Sequence, residues 1–102
     1  MVGIITAKDL KEGLDAQAFF LIDVREVAEH QAEAIEGSTL IPLGELSVDK
    51  LPQTEKPLVL HCRSGRRSLE GCHRLQAQNP SLTLYNLEGG IEAWKEEQAF
   101  NN

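Results

Sequence analysis

The chain has 102 residues, 41% of them hydrophobic and 25% charged, with a formal net charge of −6. That length suits a single domain with one core and leaves no room for a second. No apolar run approaches the length of a membrane span, and the acidic balance argues against nucleic acid as a partner.

Residues 1–10 show neither a basic start with an apolar stretch nor a small-residue cleavage site, which predicts a protein kept in the cytoplasm. Thr6 followed by Asp9 reads as a helix start, and Leu10 and Leu14 fall one turn apart on one face, so a short helix is expected over residues 7–14. Residues 19–24 form an apolar run broken only by Asp23; residues 58–60 and 82–84 are shorter runs bounded by proline or polar residues. All three read as buried strands. Between the first two lie a helical stretch over 25–34, a short strand over 38–41 ending at Pro42, and a helix candidate over 44–50. A further helix is expected over 65–78, where Leu69, Cys72 and Leu75 recur at helical spacing before Asn79-Pro80. Gly89-Gly90 then leads into a last helix carrying Ile91 and Trp94, with Trp94 packing in the core. Strands alternating with helices predict an α/β domain over 1–102, its core about 4–98.

Two cysteines, Cys62 and Cys72, are too few for a disulfide framework, so each is judged by its surroundings. Four of the five arginines, Arg63, Arg66, Arg67 and Arg74, crowd into the stretch just after Cys62. The segment 58–68 reads as a buried strand, a cysteine, a turn and then a helix start. A helix start presents N–H groups with no internal partner and a partial positive charge, and both favour an anion. In such settings a cysteine pKa falls from ~8.5 to roughly 3.5–7.5, so Cys62 is expected to be a nucleophile at neutral pH. Gly65 permits the backbone to aim several N–H groups at one centre, and Ser64 and Ser68 stand ready as hydroxyl donors. Cysteine phosphatases resemble this segment, but the position where they carry a phosphate-gripping arginine, six after the cysteine, holds Ser68. The shorter ring suits something smaller than a tetrahedral phosphate, such as a terminal sulfur on Cys62.

Cys62-Arg63-Ser64-Gly65-Arg66-Arg67-Ser68 matches the form Cys-x-x-Gly-x-Arg-Ser and resembles the active loop of the rhodanese family. Asp23-Val24-Arg25-Glu26 and Leu87-Glu88-Gly89-Gly90 with Trp94 agree in order and place, so the resemblance covers nearly the whole chain. Ile35, Gly37 and Ile41-Pro42-Leu43 fit the family's Gly-His-Ile-Pro-Gly-Ala and Asn-Ile-Pro stretch. Glu33, Ala34 and Glu36 depart from it at the first glycine, the histidine and the proline, and His30 stands where an aromatic is common. These departures bear on loop shape and substrate preference.

The resemblance implies a central, mostly parallel sheet of about five short strands with helices on both faces. It also implies a sulfurtransferase that moves sulfur from thiosulfate or a related donor to cyanide or a thiol through a Cys62 persulfide. Arg63, Arg66 and Arg67 are the candidates for orienting an anionic donor, and Asp23 and Arg25 for supporting the loop. The alternative is a persulfide carrier fed by a protein partner, with little activity on small donors; phosphatase or arsenate reductase chemistry and a silent structural domain rank behind. Cys72 is expected to be a small buried hydrophobe, and His61 and His73 strand-end and surface residues. No cofactor is expected, and no metal, because Cys62, Cys72 and His73 lack the spacing of a closed site.

Overall fold

The computed structural model describes residues 2–100; Met1 and the last two residues of the expected 1–102 domain lie outside the described residues. Five strands form one sheet in the order β1-β5-β4-β2-β3, every neighbouring pair parallel. They are β1 (Val2–Ile5), β2 (Phe20–Asp23), β3 (Thr39–Leu40), β4 (Leu58–His61) and β5 (Leu84–Leu87). The helices are α1 (Ala7–Asp15), α2 (Val27–Ala32), α3 (Arg66–Gln78) and α4 (Gly90–Phe100).

The continuous apolar runs arise because parallel strands are buried on both faces. Ile22, Leu58, Leu60 and Leu84 meet Cys72 and Leu75 of α3 on one face; Leu21, Val59 and Leu87 meet Ala7 and Leu10 of α1 and Ile91 of α4 on the other. Helices therefore cover both faces, as expected, and β4 sits in the middle of the sheet with all four residues buried.

Several boundaries differ from expectation. The run over 82–84 becomes a strand only from Leu84, because pairing of Leu58 with Leu84 sets the register, while Leu82 N–H is held by the Asn79 carbonyl in a turn. The polar Asn86 inside β5 hid all of the strand beyond Leu84. The edge strand β1 was not expected: it has only four residues, interrupted by Gly3, and it pairs only with β5. The helix expected over 44–50 is two separate 3-10 turns, Leu43–Glu45 and Val48–Lys50, split by the buried Leu46. The stretch 25–34 is helical only over Val27–Ala32, which buries no residue of its own. Along α3 the buried stripe is Ser68, Gly71, Cys72 and Leu75, with Leu69 beside it and 39% exposed. Trp94 is half-buried against the α1/α4 face.

Candidate active site

Cys62 follows the last residue of β4, and Gly65 three residues on is the N-cap of α3, with φ of 108°. A side chain is strained at that φ, which accounts for glycine. Glycine has no side chain to accept the unpaired N–H groups of the first turn, a role usually filled by serine or aspartate. The Cys62 sulfur takes it over: Sγ accepts from Gly65 N–H at 3.1 Å and from Ser68 N–H at 3.4 Å.

The carbonyls on the other side of the loop are held by α4. Ile91 N–H donates to the Cys62 carbonyl at 2.9 Å and Glu92 N–H to the Arg63 carbonyl at 3.2 Å. Both donors lie in the first turn of α4, where the helix supplies them no acceptor. A trans peptide points its N–H opposite to its C=O, so pinning the Arg63 carbonyl turns the Ser64 N–H back toward sulfur.

Cys62 is 1% exposed, and its sulfur is buried facing amides. Burial pushes its thiol up, but the Ser68 hydroxyl and the amides of Ser68, Gly65 and Ser64 outweigh this and leave it below the ordinary cysteine range. Cys72, fully buried in the core without such donors, is pushed up to about 12 by burial alone. The same residue type thus has opposite character at the two positions, as the sequence predicts.

The three loop arginines are not equivalent. Arg67 makes a two-pronged ion pair with Glu29 of α2, at 2.7 and 2.9 Å, and that guanidinium holds the Glu29 carboxyl down to about 2. Arg63 pairs with Glu92 at 3.2 Å. Arg66 is exposed and has no ion pair among the described residues. Arg74 lies outside the loop and ties α3 to the Leu43 carbonyl. Ser64 is exposed, whereas Ser68 is buried with its Oγ 3.4 Å from Cys62 Sγ.

Asp23 and Arg25 lie at the end of β2 and do not touch the loop directly. The Asp23 carboxylate accepts from Arg25 N–H, Nε and Nη2 and from His30 Nδ1, and Arg25 Nη2 continues to the Glu33 carbonyl at 2.6 Å. Burial pushes Asp23 up, yet its partners Arg25 and His30 bring it down to about 2. This network fastens α2, which carries Glu29 and so Arg67. His61 is the last residue of β4, as expected of a strand-end histidine, but it is not surface-exposed. It is fully buried because its strand is central, and burial lowers its pKa, keeping it neutral. His73 is exposed.

Asn86 was not singled out from the sequence. Its Nδ2 donates to the Gly65 carbonyl at 3.0 Å, and its Oδ1 accepts from the Ser68 hydroxyl. A polar residue inside a buried strand was the available signal. Among the described residues no cluster of three or more His, Cys, Asp or Glu is placed to hold a metal, and no helix is long and apolar enough to cross a membrane.

A family profile described as "Rhodanese-like domain" matches residues 6–97. The chain is 33% identical over 97 residues to a sulfurtransferase of Allochromatium vinosum, covering 92% of this chain and 89% of that protein. It is 35% identical over 98 residues to the probable adenylyltransferase/sulfurtransferase MoeZ of Mycobacterium tuberculosis, covering 91% of this chain and 24% of that one. Several curated relatives are longer than this chain, which spans 51% of an uncharacterized Synechocystis protein that it matches at 37% identity. Among solved structures, a rhodanese-related protein of Thermoplasma volcanium superposes with a TM-score of 0.80 at 32% identity, covering 93% of this chain and 92% of that one.

Proposed function

From the premise that this chain belongs to the rhodanese-like domain family, we propose that it is a sulfurtransferase of the thiosulfate type, with Cys62 as the residue that carries the sulfur. The observation that supports this most is the sulfur of Cys62 standing where an N-cap oxygen would, accepting the N–H groups of Gly65 and Ser68. That setting stabilises a thiolate without a neighbouring general base, and it suits a nucleophile that attacks sulfur.

In the first displacement the Cys62 thiolate attacks the outer sulfur of thiosulfate. The S–S bond of the donor breaks, sulfite leaves with the bonding pair, and a Cys62 persulfide remains. In the second, cyanide carbon or a thiolate attacks the outer sulfur, the persulfide S–S bond breaks, and Cys62 leaves as thiolate. The helix-start amides stay paired with sulfur throughout, so the main chain of the loop need not reorganise as charge moves. Asp23 and Arg25 act at one remove, by seating α2 against Arg67.

Arg63 and Arg67 are paired, whereas Arg66 makes no ion pair among the described residues and is the loop arginine to meet an anionic donor. Arg66→Met is expected to lower kcat/KM for thiosulfate about tenfold, as loss of one charged hydrogen bond would, and to leave the rate with an uncharged persulfide donor unchanged. Stopped-time assays at two salt concentrations check this: equal losses with both donors would remove Arg66 from the donor site.

A second reading is a persulfide relay fed by a protein, favoured by relatives in which this domain is about a quarter of a longer chain named both adenylyltransferase and sulfurtransferase. Intact-mass and peptide analysis after incubation with thiosulfate tests the main reading. The expected result is the gain of one sulfur on the peptide holding Cys62 and none on that holding Cys72. Loading by a persulfide donor but not by thiosulfate would favour the relay, and no loading by either would overturn both.

A further inference from the structure

Asn86 is held against the Cys62 loop by two hydrogen bonds whose directions cannot be exchanged. A carbonyl oxygen only accepts, so the end of the Asn86 amide 3.0 Å from the Gly65 carbonyl is the NH2. The other end is then Oδ1, which also only accepts, so the contact with Ser68 Oγ takes up the single hydroxyl proton. Ser68 Oγ lies 3.4 Å from Cys62 Sγ as well. With its proton on Asn86, the hydroxyl offers sulfur a lone pair, which suits an S–H donor and opposes a thiolate. An ionised sulfur draws the hydroxyl round to donate to it, and the bond to Asn86 is then given up.

We propose that Asn86 is a positioning residue that holds the Ser68 hydroxyl proton while the inner sulfur is uncharged and yields it when that sulfur becomes anionic. No covalent O–H bond breaks; the hydroxyl changes only its acceptor. Burial makes the choice consequential, because Asn86 and Ser68 are both buried and an abandoned Oδ1 finds no water there easily. The meaning for the cycle rests on the sulfur-transfer reading. On loading, negative charge passes from Sγ to the outer sulfur of the persulfide, Sγ becomes a neutral divalent sulfur, and the Ser68 proton returns to Asn86. Asn86 thereby favours the loaded state over the bare thiolate.

The test is the ultraviolet titration of the Cys62 thiolate, with no sulfur donor present, in the wild type, Asn86→Leu, Ser68→Ala and the double variant. Cys72, at about 12, stays protonated across the range from acid to mildly alkaline pH. Asn86→Leu removes a hydrogen bond that only the thiol state enjoys, so the Cys62 midpoint is expected to fall by about one pH unit, tenfold in the ionisation constant. In the Ser68→Ala background the same substitution is expected to leave the midpoint where it was. A purely structural role would loosen Gly65, carry its N–H away from sulfur and raise the midpoint in both backgrounds; that result, or no shift at all, overturns the proposal. Should the leucine variant fail to fold by circular dichroism, Asn86→Ala makes the same comparison with less bulk. Because no donor is used, a protein that takes no sulfur from thiosulfate still decides the point.

Discussion

Gly90→Ala is expected to lower sulfur transfer by more than about a hundredfold, the scale associated with displacing reacting groups by an ångström. Gly90 has φ of 61°, and a Cβ placed there would stand 2.4 Å from the Arg63 carbonyl oxygen, 2.5 Å from its carbon and 2.6 Å from the Cys62 carbonyl oxygen. These neighbours are main-chain atoms of the active loop itself, so no side chain is available to swing aside. Either the loop or the start of α4 must move. Moving either one breaks the bonds from Ile91 and Glu92 that hold the Cys62 and Arg63 carbonyls and orient the loop peptides. The strained φ adds about 1–3 kcal/mol of destabilisation. Measurement of transfer rate and of the Cys62 ionisation midpoint in the same preparation separates the two effects. The midpoint should rise as amides leave the sulfur, and a variant with wild-type rate and midpoint would show that the loop does not depend on this clamp.

Asp23→Asn is expected to destabilise the fold by about 3–5 kcal/mol, the cost of leaving one partner of a buried ion pair uncompensated. Asp23 is fully buried and Arg25 nearly so, and the asparagine amide would turn a donor toward a guanidinium that itself only donates. Replacing both residues with apolar ones of similar volume, Asp23→Leu with Arg25→Met, should recover much of the loss, since no unpaired charge remains. The pH dependence has a definite sign. The folded Asp23 carboxyl lies at about 2, below its ordinary 3.8, so its contribution is whole above that ordinary value and is lost as pH falls toward about 2. Glu29 titrates in the same window, also at about 2. The Asp23 share is therefore the difference between wild type and Asp23→Asn in denaturant unfolding followed from neutral pH to strong acid. Parallel curves across that window would remove Asp23 from the acid response.

Around Cys62 much was legible in advance. The buried run of β4, the turn at Gly65 and the helical stripe of α3 lie within twenty residues of one another, and each follows from local preference. The opposite characters of Cys62 and Cys72 followed from the same local reading, one at a helix start and one on a buried face. The part of β5 that was missed, beyond Leu84, contains Asn86, a residue whose polarity serves the loop and not the strand. Likewise β1 escaped notice because Gly3 interrupts its short apolar stretch of Val2, Ile4 and Ile5.

The sequence by itself determined that a thiol would meet a cluster of amides, because the donors, the main-chain N–H groups of Ser64, Gly65 and Ser68, lie within six residues of Cys62 and need only one glycine able to turn left-handed. Tertiary structure alone decided which arginine remains unpaired, that His61 is sealed in the sheet, and that Gly90 and Asn86 hold the loop from outside. Those outcomes depend on partners 18 to 38 residues away in the chain, such as Asn86 for Ser68 and Glu29 for Arg67. Their meeting is set by strand order and helix packing, which no local preference encodes.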